Sequence, residues 1–292
     1  MNTSSSPVVI STIAELRSFL AKARSEGKQI GLVPTMGALH KGHLSLVEAC
    51  REECDLSVVS IFVNPTQFAP GEDFEKYPRT LDSDREKLAT VEADVIFAPS
   101  TEEVYPPGSS TTVHVAGLTE RWEGATRPTH FDGVTTVVMK LFQMVQPDRA
   151  YFGQKDFQQA QILLKMVRDL NLPLQMRICP IVREADGLAM SSRNAYLSTE
   201  ERRASLVLYK SLQLAERFLA EGILDADRIR LAMEAEFSSE PLAKLDYVAL
   251  LEAETLNEVD EIQSPVIALV AAWVGKTRLI DNLWLRPAPT TS

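Results

Sequence analysis

A chain of 292 residues with 45% hydrophobic and 24% charged composition is long enough to bury a sizeable core, as one large and one smaller domain. Its formal charge of -10 and pI near 5.0 repel nucleic acid and anionic membrane surfaces, so neither is an expected partner and any phosphate site has to be local. The cysteines, Cys50, Cys54 and Cys179, make an odd count in a chain that needs no staples, which fits a cytoplasmic protein better than a secreted one.

Residues 1–7 are Ser-rich, lack the basic start and apolar run of a signal peptide, and read as a frayed end. Thr12 and Glu15 form a capping box, after which Ile13, Leu16, Leu20 and Ala23 repeat at helical spacing up to Gly27. A short apolar strand at 30–33 runs into a turn through Pro34, Thr35, Met36 and Gly37, and a helix follows over 42–54. On that helix Cys50 and Cys54 stand four apart, either sharing a metal or packing as two small apolar groups; no second ligand pair follows at zinc spacing. The β-rich run 56–63 suits a parallel strand covered on both faces. A helix at 81–92, strands at 94–98 and 111–115, a helix at 133–145, a strand at 149–152, a helix at 156–170 and a strand at 174–182 complete an α/β alternation. Such alternation implies right-handed crossovers and an open parallel sheet with ligands at the carboxyl ends of its strands. Beyond a turn at 184–187 come helices at 199–221 and 226–237 and β-rich runs at 245–251 and 266–279, a small α+β domain. The expected division is therefore 1–185 and 186–292. The apolar run 266–274 is far short of the roughly 20 residues that span a bilayer, so it reads as a buried strand.

Four segments carry residue types suited to phosphate or substrate chemistry. Met36-Gly37-Ala38-Leu39-His40-Lys41-Gly42-His43 joins a strand to a helix. A helix start offers unpaired N–H groups and partial positive charge, Gly37 and Gly42 allow close backbone approach, and histidines at i and i+3 can both face an anion. The alternative is a chance pair in a turn. No Glu follows His40, so this is not a zinc-protease helix. Gly153-Gln154-Lys155-Asp156-Phe157-Gln158-Gln159 is a second strand-to-helix junction, where Lys155 opposes the helix dipole and so suggests a role other than stability. Asp156 is either N-cap or ligand, and Gln159 either an ordinary surface residue or part of a site. Met190-Ser191-Ser192-Arg193-Asn194 is either a phosphate clamp or a solvated loop. In Phe62-Val63-Asn64-Pro65-Thr66-Gln67-Phe68 the two amides either recognise hydroxyl and carboxylate groups or build the turn at Asn64-Pro65. Gly275-Lys276-Thr277 imitates the end of a P-loop, but Val270 stands where the first glycine belongs and the segment reads as a strand pair.

With Tyr77-Pro78-Arg79-Thr80 and Thr277-Arg278-Leu279-Ile280-Asp281-Asn282, these segments resemble, in order and through nearly the whole chain, the pantothenate synthetase family of the nucleotidylyl-transferase group. The His pair alone would indicate only the wider group. The resemblance implies a Rossmann-like open parallel sheet with a smaller C-terminal α+β lid domain. It implies ATP-dependent ligation of pantoate and β-alanine through a pantoyl adenylate, releasing AMP and pyrophosphate, in coenzyme A precursor biosynthesis. ATP would contact residues 36–43, Gly153, Gln154, Lys155, Asp156, Val182, Met190, Ser191, Ser192 and Arg193. His40, His43, Lys155 and Arg193 would be catalytic, His43 being the family's proton donor. Pantoate would be held by Gln67 and Gln159 with Asn64 beside them, and Gln67 would also lie close to β-alanine. A magnesium requirement and a homodimer are implied too. Thr129 departs from the glycine that commonly precedes the histidine in Arg127-Pro128-Thr129-His130-Phe131, so no role is carried over to Arg127 or His130. Asp82 and Asp84 either help to bind magnesium or serve as partners of a helix dipole.

On that reading the pantoate carboxylate, already ionised, attacks the α-phosphorus without a general base, and catalysis rests on positioning and charge stabilisation. Two rivals stand beside it: an adenylyltransferase that leaves AMP on a phosphorylated acceptor, and a silent ATP sensor that binds without releasing pyrophosphate.

Overall fold

The computed structural model describes residues 6–69 and 71–287, and residues 1–5 of the expected frayed end lie outside them. The chain forms two compact units, residues 1–153 with 159–180, and residues 154–158 with 181–292, against a sequence division after 185.

The first unit runs β1 (Val8–Ile10), α1 (Ile13–Ser25), β2 (Ile30–Thr35), α2 (Lys41–Glu53), β3 (Leu56–Ile61), α3 (Leu81–Thr90), β4 (Val95–Phe97), α4 (Thr101–Val104), α5 (Glu123–Thr126), α6 (His130–Val145), β5 (Arg149–Gly153), α7 (Phe157–Asp169) and β6 (Gln175–Cys179). Its strands form one parallel sheet in the order β1-β4-β3-β2-β5-β6. From β2 the chain moves outward to β3 and β4, then returns to the other side of β2 at β5. In open parallel sheets ligands bind outside the carboxyl ends at such a reversal. β2 ends at Thr35 and β5 at Gly153, so residues 36–43 and 154–156 follow the two strand ends that flank it.

Local chemistry accounts for the framework. Ile30, Leu32, Val33, Val58 and Val59 are fully buried, as the unbroken apolar runs require. Thr12 Oγ1 accepts from Glu15 N at 3.3 Å and starts α1. At Gly31 a Cβ would stand 2.2 Å from Cys50 Sγ, so α2 seats against β2 only because that position is glycine. Cys50 is fully buried there, packed as a small apolar group against β2. The strand expected at 111–115 does not form: Val113 N donates to Thr136 Oγ1 at 2.9 Å and Val113 O accepts from Thr135 Oγ1, so α6 hydroxyls take the place of a ladder. No helix among the described residues is long and apolar enough to cross a membrane.

The second unit holds α8 (Thr199–Ala204), α9 (Leu206–Ala220), α10 (Ala226–Phe237), β7 (Ala243–Leu251), β8 (Val266–Val274) and β9 (Thr277–Leu285), the strands forming an antiparallel sheet β7-β8-β9. The single helix expected over 199–221 is two, divided at Ser205, whose Oγ donates to Arg202 O at 2.7 Å. Leu208 and Leu212 of α9, Ile229 and Met233 of α10 and Val270 of β8 share its core. Gly275 turns β8 into β9, the strand pair expected in place of a P-loop.

Candidate active site

Thr35 begins the first site segment by donating to Ser60 O at 2.6 Å and accepting from Gly37 N at 3.2 Å. Gly37 has φ +84, and a Cβ there would lie 3.1 Å from both Asp84 and Ile61, so backbone conformation and space both demand glycine. Ala38 follows with φ +50, a strained conformation for a residue with a Cβ. Asp84, 0% exposed, holds it: Oδ2 accepts from Ala38 N at 2.9 Å and from Thr80 Oγ1 at 3.1 Å, and Oδ1 from Leu39 N at 2.8 Å. Lys87 Nζ lies 3.8 Å from Oδ1 and donates to Leu39 O at 2.9 Å. These bonds offset the desolvation of a buried carboxylate. Asp84 thus serves the turn with both oxygens while standing in the first turn of α3.

His40 is the N-cap of α2. Its Nδ1 accepts from Gly42 N at 3.2 Å, while His43 Nδ1 accepts from His40 N at 3.4 Å. The exchange fixes both rings, centroids 4.1 Å apart, and puts the proton of each neutral ring on Nε2. α2 has no acidic side chain in its first turn, so its positive end is not compensated from within the helix. Leu39 is a core residue at 3% exposure, and Lys41 is exposed.

Asn64, 1% exposed, accepts at Oδ1 from Thr66 N (3.3 Å), Thr66 Oγ1 (3.0 Å) and Tyr105 OH (2.9 Å). Its Nδ2 donates to Gly133 O (3.1 Å) and Gln67 Oε1 (3.2 Å), so the amide both builds the turn and aims Gln67. Gln67 Nε2 reaches Met36 Sδ at 3.0 Å, which joins this loop to the 36–43 turn. A Cβ on Gly133 would fall 2.4 Å from Thr66 O, so α6 approaches the loop this closely only at glycine.

The carbonyl of Gln67 is held by two side chains. His130 Nδ1 stands 2.9 Å away and must be the donor; Arg127 Nη2 donates at 3.2 Å. Arg127 also forks onto Glu72 with two bonds of 2.7 Å and reaches Glu123 at 3.3 Å. Burial, reinforced by the Arg127 charge, pushes His130 down to about 4, so the ring is neutral. Burial alone would raise Glu72, but the Arg127 hydrogen bonds and charge outweigh it and hold the carboxyl below its usual range. Sequence reasoning gave Arg127 and His130 no role; the available signal was a cation and an imidazole flanking a helix start. Gln159 lies half-buried in the first turn of α7.

In the second unit Gln154–Asp156 form one 3-10 turn, with Lys155 Nζ 3.7 Å from Asp156 Oδ1. Asn282, on β9 and 1% exposed, donates from Nδ2 to Gln154 O at 3.0 Å and Lys155 O at 2.9 Å, and accepts from Gln154 Nε2 at 3.0 Å. Next to it Asp281 receives a fork from Arg183 at 2.6 and 3.0 Å, and Arg183 donates further to Asn282 O at 3.2 Å and Gly187 O at 3.0 Å while lying 4.3 Å over the Tyr209 ring. Met190 N donates to Val182 O at 3.0 Å, and Ser191 Oγ accepts from Arg193 N at 3.2 Å to start the turn Ser192–Tyr196. A continuous set of contacts thus links Lys155 through Asn282, Asp281 and Arg183 to the segments carrying Val182 and Met190. Asp281 and Asn282 stood in the segment 277–282 that carries the resemblance, beyond the β-rich run expected to end at 279, and no role was assigned to either.

A family profile described as Pantoate-beta-alanine ligase matches residues 8–284. The chain belongs to that family. Among relatives of this ligase family, the pantothenate synthetase of Moorella thermoacetica is 54% identical over 277 residues, covering 95% of this chain and 98% of that protein. A crystal structure of pantothenate synthetase from Thermus thermophilus matches with a TM-score of 0.92 at 46% identity, covering 96% of this chain and 100% of that one. The pantoate-beta-alanine ligase of Francisella tularensis, crystallised with beta-gamma ATP and beta-alanine, matches with a TM-score of 0.79 at 33% identity over 95% of this chain and 97% of that one.

Proposed function

We propose that this ligase joins pantoate to β-alanine in two steps, with the residue roles that follow. The pantoate carboxylate attacks the α-phosphorus of ATP; the Pα–O bond to pyrophosphate breaks and pantoyl adenylate forms. The β-alanine amine, deprotonated from a solution pKa of about 10.4, then attacks the acyl carbon and AMP leaves with the bonding pair. ATP is bound by residues 36–43, 153–156, Val182 and 190–193. His40 and His43 donate from Nε2–H to phosphate oxygens, and Lys155 and Arg193 stabilise the charge that develops on pyrophosphate. Gln67 and Gln159 hold pantoate, Asn64 acting through Gln67. The smaller domain acts as a lid that keeps water from the mixed anhydride.

The observation that carries this reading is the pair of imidazoles locked by backbone bonds at the start of α2, a helix end without its own carboxylate. Magnesium enters only as the counter-ion of ATP: among the described residues no three-ligand cluster exists and both Asp84 oxygens are engaged, so these residues do not fit a protein-built metal centre. A cytoplasmic homodimer is part of the same proposal.

Exchange of labelled pyrophosphate into ATP tests it. Exchange should require pantoate and proceed without β-alanine; exchange indifferent to pantoate would remove the adenylate. Free AMP and an amide as products, with no stable dinucleotide-like compound, separate ligation from adenylyl transfer.

A further inference from the structure

The turn that carries Lys155 is held by a residue 127 positions later. In an extended strand successive carbonyls point to opposite sides. In the 3-10 turn Gln154–Asp156 they point the same way, and one primary amide with two hydrogens can bond both. Asn282 does this, giving N–H to the carbonyls of residues 154 and 155 at 3.0 and 2.9 Å while its Oδ1 accepts from the Gln154 side chain at 3.0 Å. With 1% exposure the amide has no solvent alternative, so the bonds fix the 154–155 peptide planes and hence the direction in which the Lys155 side chain departs. Asp281 and Arg183 immobilise Asn282 in turn: the Asp281 carboxylate accepts from Asn282 N at 2.7 Å and Arg183 donates to Asn282 O at 3.2 Å. The choice of amide also suits the chemistry, because a carboxylate in its place would repel both carbonyls.

We propose that Asn282 is a positioning residue for the reaction, acting through the backbone of Gln154 and Lys155 to aim the Lys155 ammonium at the phosphates. The proposal rests on the assignment of Lys155 to the phosphates. A contribution to the stability of the small unit alone would lower activity whatever stands at 155; a positioning role vanishes once the ammonium is removed.

The test uses the full-length enzyme and the single-turnover rate of pantoyl adenylate formation at saturating ATP and pantoate. Asn282→Ala and the isosteric Asn282→Asp are each made in the unaltered chain and in a Lys155→Gln background, with cooperative thermal unfolding recorded for all. The expected result is a loss of about tenfold or more in the unaltered chain, on kcat rather than on KM for pantoate, and less than about twofold in the Lys155→Gln background. Losses within threefold of each other in the two backgrounds, or no loss in the first, overturn the proposal. Should Asn282→Ala not fold, Asn282→Asp decides, and failure of both to fold also overturns it. A Lys155→Gln enzyme with an undiminished rate would instead overturn the role of Lys155, so the two failures are distinct.

Discussion

After β2 the chain is held by a buried carboxylate: Asp84 takes the N–H groups of Ala38 and Leu39. After β5 it is held by a buried amide: Asn282 gives its N–H groups to the carbonyls of Gln154 and Lys155. The difference follows from what each turn carries. The first has a positive-φ bend whose orphaned donors need acceptors, and its carboxylate is compensated by the donors themselves and by Lys87. The second carries an ammonium, and a neutral amide fixes the backbone without adding an opposing charge beside it. In both, a residue distant in sequence and hidden from solvent holds the backbone of a turn that carries a half-buried cationic or imidazole side chain.

The largest effects should come from the groups being presented. Ala at His43 or at Lys155 is expected to lower pyrophosphate exchange on the order of 10²-fold or more with the unfolding midpoint little changed. A fully active His43→Ala enzyme would break the parallel between the turns. Asp84→Asn comes next. Its amide must turn an N–H toward a backbone N–H, leaving a donor buried without a partner, at a cost of about 3 kcal/mol of folding stability. Urea unfolding measures that cost. Unchanged stability with normal exchange would show that the carboxylate is not the anchor.

The alternation of strands and helices made the first unit legible, because continuous apolar runs and capped helices obey local rules. Val8–Ile10 escaped notice since a three-residue edge strand exists only through its pairing with β4. The 111–115 segment has the composition of a strand but its carbonyl and amide find hydroxyls on α6, and Ser205 divides a helix whose apolar spacing runs on across the break. Among the candidate site residues, the histidines, Lys155 and Gln67 could be singled out because their motifs are contiguous. Asp84, Asn282, Arg127 and His130 act on backbone groups 45 to 127 residues away, in the cases of Leu39 and Lys155, and no spacing rule encodes a partner that only folding brings near.

The Gln67 arm supplies a pH test. The imidazole of His130 titrates near 4 in the folded chain against about 6.5 unfolded. Between those values the unfolded chain binds more protons, so folding stability falls as pH drops from about 6.5 towards 4 and is level with respect to this group below that. With partial exposure discounted, about 2 kcal/mol should be lost across the window. His130→Asn, which can still donate to Gln67 O, should remove this part of the slope in denaturant titrations at pH 7 and pH 4.5. An identical slope in the variant would mean that other groups govern acid sensitivity.

Arg127→Lys should give the smallest effect and sharpen the comparison most. Like Asn282, Arg127 grips a carbonyl, but it is a cation and has to be neutralised, which Glu72 does through two bonds of 2.7 Å. An ammonium cannot hold that fork and reach Gln67 O together. With Glu72 still 24% exposed at its side chain, water can take up the oxygen that is released, so the stability cost should be only about 1 kcal/mol. The carbonyl of Gln67 would then depend on His130 alone, and its side chain, to which the proposed function assigns pantoate, would be less well aimed. KM for pantoate should therefore rise about threefold while kcat at saturation holds. If stability falls and KM does not, the arm only supports the loop, and aiming through the backbone is confined to the turns at 36–43 and 154–156.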